Sequence, residues 1–157
     1  MAARQAGDLL NDQKIIVIPS RSVAQGIAGM LEFNPALEAD PNEEAMTKSL
    51  VTVGSGEVTY AVRDSQVEGF SIKEGEVLGL VEGDIVTHGE SVVQVTQHVL
   101  EGLKWREKSL VTLFYGEETQ AADVEALETW LASEGNAVEV EIYEGKQPLY
   151  YFFIGVE

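Results

Sequence analysis

The sequence predicts an α/β fold of α+β character: a mixed sheet with flanking helices and an inserted antiparallel β-meander. Three observations carry that reading. Strand-length apolar runs alternate with amphipathic helical stretches at both ends of the chain. Between them, residues 57–87 switch to a period of two and are cut by turn signals at Lys73-Glu74-Gly75 and Glu82-Gly83. Helix starts are marked by serine paired with glutamine three residues on, at Ser22/Gln25 and Ser91/Gln94.

Taken in order, Ala2–Leu10 reads as the tail of a helix without capping signals, which predicts that these residues belong to a longer chain. Ile15-Ile16-Val17-Ile18 reads as a buried strand that stops at Pro19 and delivers Ser20-Arg21-Ser22 to a helix starting at Val23. Asn34-Pro35 ends that segment. Asp40 then serves as N-cap, with Pro41 first in the helix and Glu43 third; this helix is expected to run to Val53, before Gly54-Ser55-Gly56.

The meander comprises Glu57–Arg63, Val67–Ile72, Glu76–Val81 and Asp84–Thr87. The helix opened by Ser91 buries Val92, Val95, Val99, Leu100 and Leu103 on one side. A buried strand follows at Ser109–Tyr115, then a helix at Gln120–Ser133 with Val124, Leu127, Trp130 and Leu131 inward, closed by Gly135-Asn136. Alternating Ala137–Tyr143 and aromatic Tyr150–Val156 complete the strands. We divide this single expected domain into a strand–helix half (1–54), the meander (55–89) and an α-β-α-β-β portion (90–157).

Composition narrows the function classes. At 157 residues with 45% hydrophobic content, the chain can bury a proper core. Zero cysteines exclude disulfides, thiolate metal sites and cysteine nucleophiles. A net charge of −17, from 27 acidic against 10 basic residues, repels nucleic acid and anionic lipid. No apolar stretch approaches the ~20 residues of a membrane span, and the start lacks a signal-peptide pattern, so a cytoplasmic location is expected.

Four groups of residues offer chemistry. Ser20, Arg21, Ser22 and Gln25 place N–H groups and a cation at a helix N-terminus, suited to an anion or a partner. Capping alone accounts for Ser22 and Gln25 and leaves Arg21 unexplained. Glu117, Glu118 and Asp123 cluster beyond a strand end, where carboxylates bind divalent cations or simply favour a helix start. His88 and His98 share no metal-ligand spacing. Tyr150-Tyr151-Phe152-Phe153 is core if the sheet is covered and a contact surface if it is an edge, with Tyr150 and Tyr151 the expected outward pair.

Four segments carry a resemblance: Val17-Ile18-Pro19-Ser20-Arg21-Ser22-Val23-Ala24-Gln25-Gly26, Gly56–Asp64, Tyr115-Gly116-Glu117-Glu118 and Gly145-Lys146-Gln147-Pro148-Leu149-Tyr150. In order and spacing they resemble the later portion of the C-terminal domain of the dihydroxyacetone-kinase-like, ATP-binding subunit of bacterial fatty acid kinase. Ala24 departs from the usual proline, and either residue suits a first helical turn. The resemblance implies a DegV-like/dihydroxyacetone-kinase-like fold. It also implies a parent kinase that makes acyl-phosphate for phospholipid synthesis, with ATP and magnesium held in the parent's N-terminal kinase domain. This chain would hold no cofactor or metal, contribute no catalytic residue and transfer no phosphate by itself. Its partners would be a DegV-like fatty-acid-binding protein and that kinase domain, with a homodimer left open. A module binding a carboxylate or phosphate head group at Ser20, Arg21 and Ser22 is the alternative.

Overall fold

The computed structural model describes residues 5, 15–67, 69–134 and 137–157. Two compact units meet in sequence between Val53 and Gly54. The expected helix tail at Ala2–Leu10 lies outside the described residues except for Gln5, which is helical, and the closing Gly135-Asn136 also lies outside them.

In the first unit, helix α1 (Val23–Leu31) and helix α2 (Ala39–Ser49) pack together where α1 is smallest. Ala28 and Gly29 are the buried residues of α1, and a Cβ on Gly29 would lie 3.3 Å from Leu50 Cδ2. The expected strand at Ile15–Ile18 is not formed. Residues 15–21 belong to no helix or strand, Ile15 is exposed and Ile16 to Ile18 are half-buried. An apolar run becomes a strand only when a neighbour completes its ladder, and these residues pair with none among the described ones. Instead, Ile16 and Ile18 line a small cavity with Phe33, Ala39, Asn42 and Met46.

Helix α2 also differs from expectation. Its N-cap is Glu38 rather than Asp40, no side chain caps it, and it ends at Ser49 rather than Val53. Pro41 thus sits third in the helix, where its missing N–H still costs nothing. Asn42 instead fixes the segment that leads into the helix. It is 5% exposed, donates through Nδ2 to the carbonyls of Asn34, Leu37 and Glu38, and accepts from the Asn34 N–H at 2.8 Å.

The second unit is a six-stranded mixed sheet with helices. Its strands run β1 (Gly54–Tyr60), β4 (Val77–Val81), β5 (Asp84–Gly89), β6 (Leu110–Tyr115), β7 (Glu139–Glu144) and β8 (Tyr150–Val156). A separate hairpin, β2 (Ser65–Val67) with β3 (Phe70–Ile72), stands between β1 and β4 in sequence. The single run expected at Val67–Ile72 is therefore split, at Gly69 with φ +93°, a conformation only glycine adopts freely. Sheet order is β5-β4-β1-β8-β6-β7, antiparallel throughout except for the parallel β6–β7 pair. Of the four runs expected in the meander, three form β1, β4 and β5, and Val67–Ile72 falls in the separate hairpin. Strand β1 takes in Gly54-Ser55-Gly56, expected as a break, and ends at Tyr60 rather than Arg63. Helix α4 (Ala121–Ser133) supplies the crossover that a parallel pair requires.

Helix α3 (Val92–Gly102) lies over β1, β4 and β5. One cluster of Val58, Val95, Val99, Leu100, Trp105, Leu113, Leu127, Phe152 and Ile154, with further apolar neighbours, joins α3, α4 and one sheet face. Thr96, unremarked in the sequence, is fully buried because its hydroxyl donates to the Val92 carbonyl at 2.7 Å. Arg106 ties the helices from outside, bonding Glu101 and Glu134 while its guanidinium lies 4.8 Å from the Trp105 ring centre.

Candidate functional site

The Ser20–Gln25 junction is a side-chain cap. Ser22 Oγ accepts from the Gln25 N–H at 3.1 Å, and Gln25 Oε1 accepts from the Arg21 N–H at 2.9 Å. The reciprocal half of the box thus lands on Arg21 rather than on Ser22 itself. The Ser20 N–H donates to the Ile18 carbonyl at 2.9 Å. Three of the N–H groups that could meet an anion already have partners. Arg21 is exposed, and its guanidinium makes no ion pair or hydrogen bond among the described residues.

The other three resemblance segments converge at one end of the β1–β8–β6 sheet. Thr59 Oγ1 donates to the Leu149 carbonyl at 2.6 Å. Gln147 Nε2 donates to the Phe114 carbonyl at 2.7 Å, while the Gln147 carbonyl accepts from the Glu117 N–H at 3.1 Å. The Gly116 N–H reaches Tyr151 O at 2.9 Å, and the Gly145 N–H reaches Tyr115 O at 2.9 Å. Gly116 is needed there, because a Cβ would collide with the Tyr150 carbonyl oxygen.

The 145–149 loop in this clasp is strained. Lys146 (φ 54°) and Leu149 (φ 69°) are both left-handed without being glycine. Such conformations cost on the order of 1 kcal/mol or more each, and persist only where surrounding bonds over-determine them. Here Gln147 and Thr59 supply those bonds. Leu149 nevertheless points outward, 54% exposed, and Lys146 is exposed beside Glu144.

Tyr150 and Tyr151 continue from this loop, and a bulge separates them. Val58 pairs with Phe152 but Thr59 pairs with Tyr150, so Tyr151 is the extra residue. Tyr151 joins the core side, its ring 5.9 Å from that of Tyr60, while the Tyr150 ring lies tilted against that of Phe153 at 4.7 Å. Both tyrosines and Phe153 are half-buried and Phe152 is fully buried, on a strand interior to the sheet rather than at its edge. Burial, and then the nearby carboxylates of Glu118 and Asp123, push the Tyr151 hydroxyl pKa up. The acidic group read from the sequence therefore borders the clasp.

Among the described residues, no group of three or more His, Cys, Asp or Glu is arranged to hold a metal ion. His88 Nδ1 lies 3.1 Å from Glu76 Oε2, whereas His98 Nδ1 meets the Gln94 carbonyl at 2.8 Å, so the histidines serve separate local bonds. No helix among the described residues is long and apolar enough to cross a membrane. The sequence offered a turn signal at Gly145–Pro148, but nothing in it marked Gln147 as the anchor or Leu149 as the strained, exposed residue.

A mixed six-stranded sheet with helices packed on it, its β1–β8–β6 end tied by a clasp of its own loops, defines an α+β domain. The chain belongs to the FakA-like C-terminal family of fatty acid kinase, whose pattern matches residues 1–157. It is 37% identical over all 157 residues to protein YloV of Bacillus subtilis, and 34% identical over the same length to an uncharacterized protein of Staphylococcus epidermidis. In each case the chain spans 28% of the relative's length.

Proposed function

We propose that this chain is a docking module of a fatty acid kinase, without catalytic groups of its own. It engages a DegV-like fatty-acid-binding protein so that the parent's N-terminal domain, holding ATP and magnesium, phosphorylates the bound acid. The setting is cytoplasmic phospholipid synthesis. One observation carries the reading: three family segments spend their hydrogen bonds on holding a strained loop whose apolar Leu149 and cationic Lys146 face outward. Strain that leaves an apolar side chain in solvent serves a contact rather than the fold.

Leu149→Gly separates docking from folding. Glycine accepts the left-handed backbone, so thermal stability should hold or rise while affinity for the loaded fatty-acid-binding protein falls at least about tenfold. Unchanged affinity by calorimetric titration would overturn the clasp as the docking site. Arg21→Ala addresses the head-group reading in parallel. If the chain titrates inorganic phosphate or a short fatty carboxylate and Arg21→Ala abolishes that binding, the module is a small-anion receptor instead.

A further inference from the structure

The first unit leaves its apolar residues uncovered. Val23, Ile27, Met30 and Leu31 repeat at helical spacing along α1, and Met30 and Leu31 are 73% and 79% exposed. Ile15, Phe33 and Leu37 add to the same stretch, each exposed. Between Asp12 and Glu32 there is no acidic residue, in a chain that has 27 of them. A solvated helix face in so acidic a protein would carry carboxylates, and this one carries none.

The backbone before α1 is equally unfinished. Ile15-Ile16-Val17-Ile18 is β-branched throughout, yet lies outside any helix or strand and is unpaired among the described residues. A four-residue connection, Pro19–Ser22, leads from it into α1, which is the length of a strand-to-helix loop. In such a unit the helix closes over the sheet to which its strand belongs. The strand-forming sequence and the helix are both present, and the sheet is not among the described residues of this unit.

We propose that Ile15–Ile18 and the outward face of α1 dock onto a sheet edge supplied by the part of a full-length family chain outside these 157 residues. Ile15–Ile18 then pairs as an added strand, and Val23, Ile27, Met30 and Leu31 cover that sheet. The occupant follows from length: the relatives match this chain over all of it, yet it accounts for only 28% of theirs. The proposal rests on family membership and not on the docking reading, because every measurement below omits the fatty-acid-binding protein.

The test compares the 157-residue chain with a chimera in which it replaces the matched region of the full-length Bacillus relative. Hydrogen exchange at Ile15–Ile18 should be at least about tenfold slower in the chimera than in the short chain. Met30→Ser with Leu31→Ser should leave the short chain's Tm unchanged and lower the chimera's by about 4 °C or more. Should the chimera fold poorly, the matched segment of the unaltered relative should still show the slow exchange. Fast exchange there, or serine variants neutral in both proteins, overturns the proposal. A short chain that sediments as a dimer, dissolved by those substitutions, overturns it in favour of a second copy as the occupant.

Discussion

The two units of this chain solve the same problem with different materials. From Gly54 onward, a sheet and two helices bury Trp105, Phe152, Leu113 and Leu127 completely, and exposed large apolar residues are scattered: Val62, Val86, Tyr143 and Leu149. Before Gly54, Leu50 and Val53 are the large apolar residues that are buried, beside Ala28, Gly29 and Asn42, while Met30, Leu31 and Phe33 face water. The second unit is held by a broad apolar core, the first by a few buried apolar residues around a polar hub, Asn42, which bonds three carbonyls and an N–H. Burying a polar hub fixes a loop, but it supplies none of the apolar driving force that an independent core provides.

Breaking the second unit's core should give the largest effect. Phe152→Ala removes a fully buried ring and should cost about 3–5 kcal/mol in urea unfolding. Both tryptophans, Trp105 and Trp130, lie in this unit, so their fluorescence follows it alone. A loss below about 1 kcal/mol would mean that the core collapses around the gap, and the contrast would weaken.

Asn42→Ala comes next. It leaves the Asn34 N–H and the Leu37 carbonyl without their side-chain partner, while the Asn34 and Glu38 carbonyls keep the Leu37 and Asn42 backbone N–H groups, and should cost about 1–3 kcal/mol. The loss should appear in hydrogen exchange of residues 32–49 and leave tryptophan fluorescence at its wild-type midpoint. A shifted fluorescence midpoint would show the units unfolding together and end the separation drawn here.

Glu57 gives the smallest and most pH-specific effect. Partial burial raises its carboxyl pKa above the ordinary 4.5, and no partner among the described residues offsets that burial. A carboxyl whose folded pKa is raised binds its proton more tightly in the native state, so stability falls as pH rises from the unfolded value through the folded one. The ionisation penalty is complete at neutral pH. Glu57→Gln should therefore raise Tm at pH 7 and give no gain at pH 3; an equal gain at both would assign the effect to packing.

Much of the fold is legible in the sequence because its signals are local. Ser22 and Ser91 cap helices through the Gln25 and Gln94 N–H groups as their spacing requires, and Tyr150–Val156 forms a strand over its expected length. The start of α2 departs from expectation because the helix begins at Ala39, after an N-cap whose side chain makes no capping bond, and Asn42 of its first turns ties it to the Asn34 and Leu37 carbonyls. Ile15–Ile18 departs for the opposite reason: the residues suit a strand, and strand formation depends on a neighbour.

The candidate site divides the same way. That Arg21 precedes a cap-forming serine, and that four segments carry a family pattern, follows from the order of residues alone, since identity and spacing are properties of one dimension. Only the assembled sheet makes Thr59, Gly116 and Gln147 meet in one clasp, turns Tyr151 to the core and Tyr150 to the opposite face through a bulge, and leaves Leu149 strained in solvent. Those are contacts between residues as much as 90 positions apart, made when sheet order β1-β8-β6 brings their strands side by side. No local propensity encodes such a meeting, because its free energy exists only once the sheet has formed.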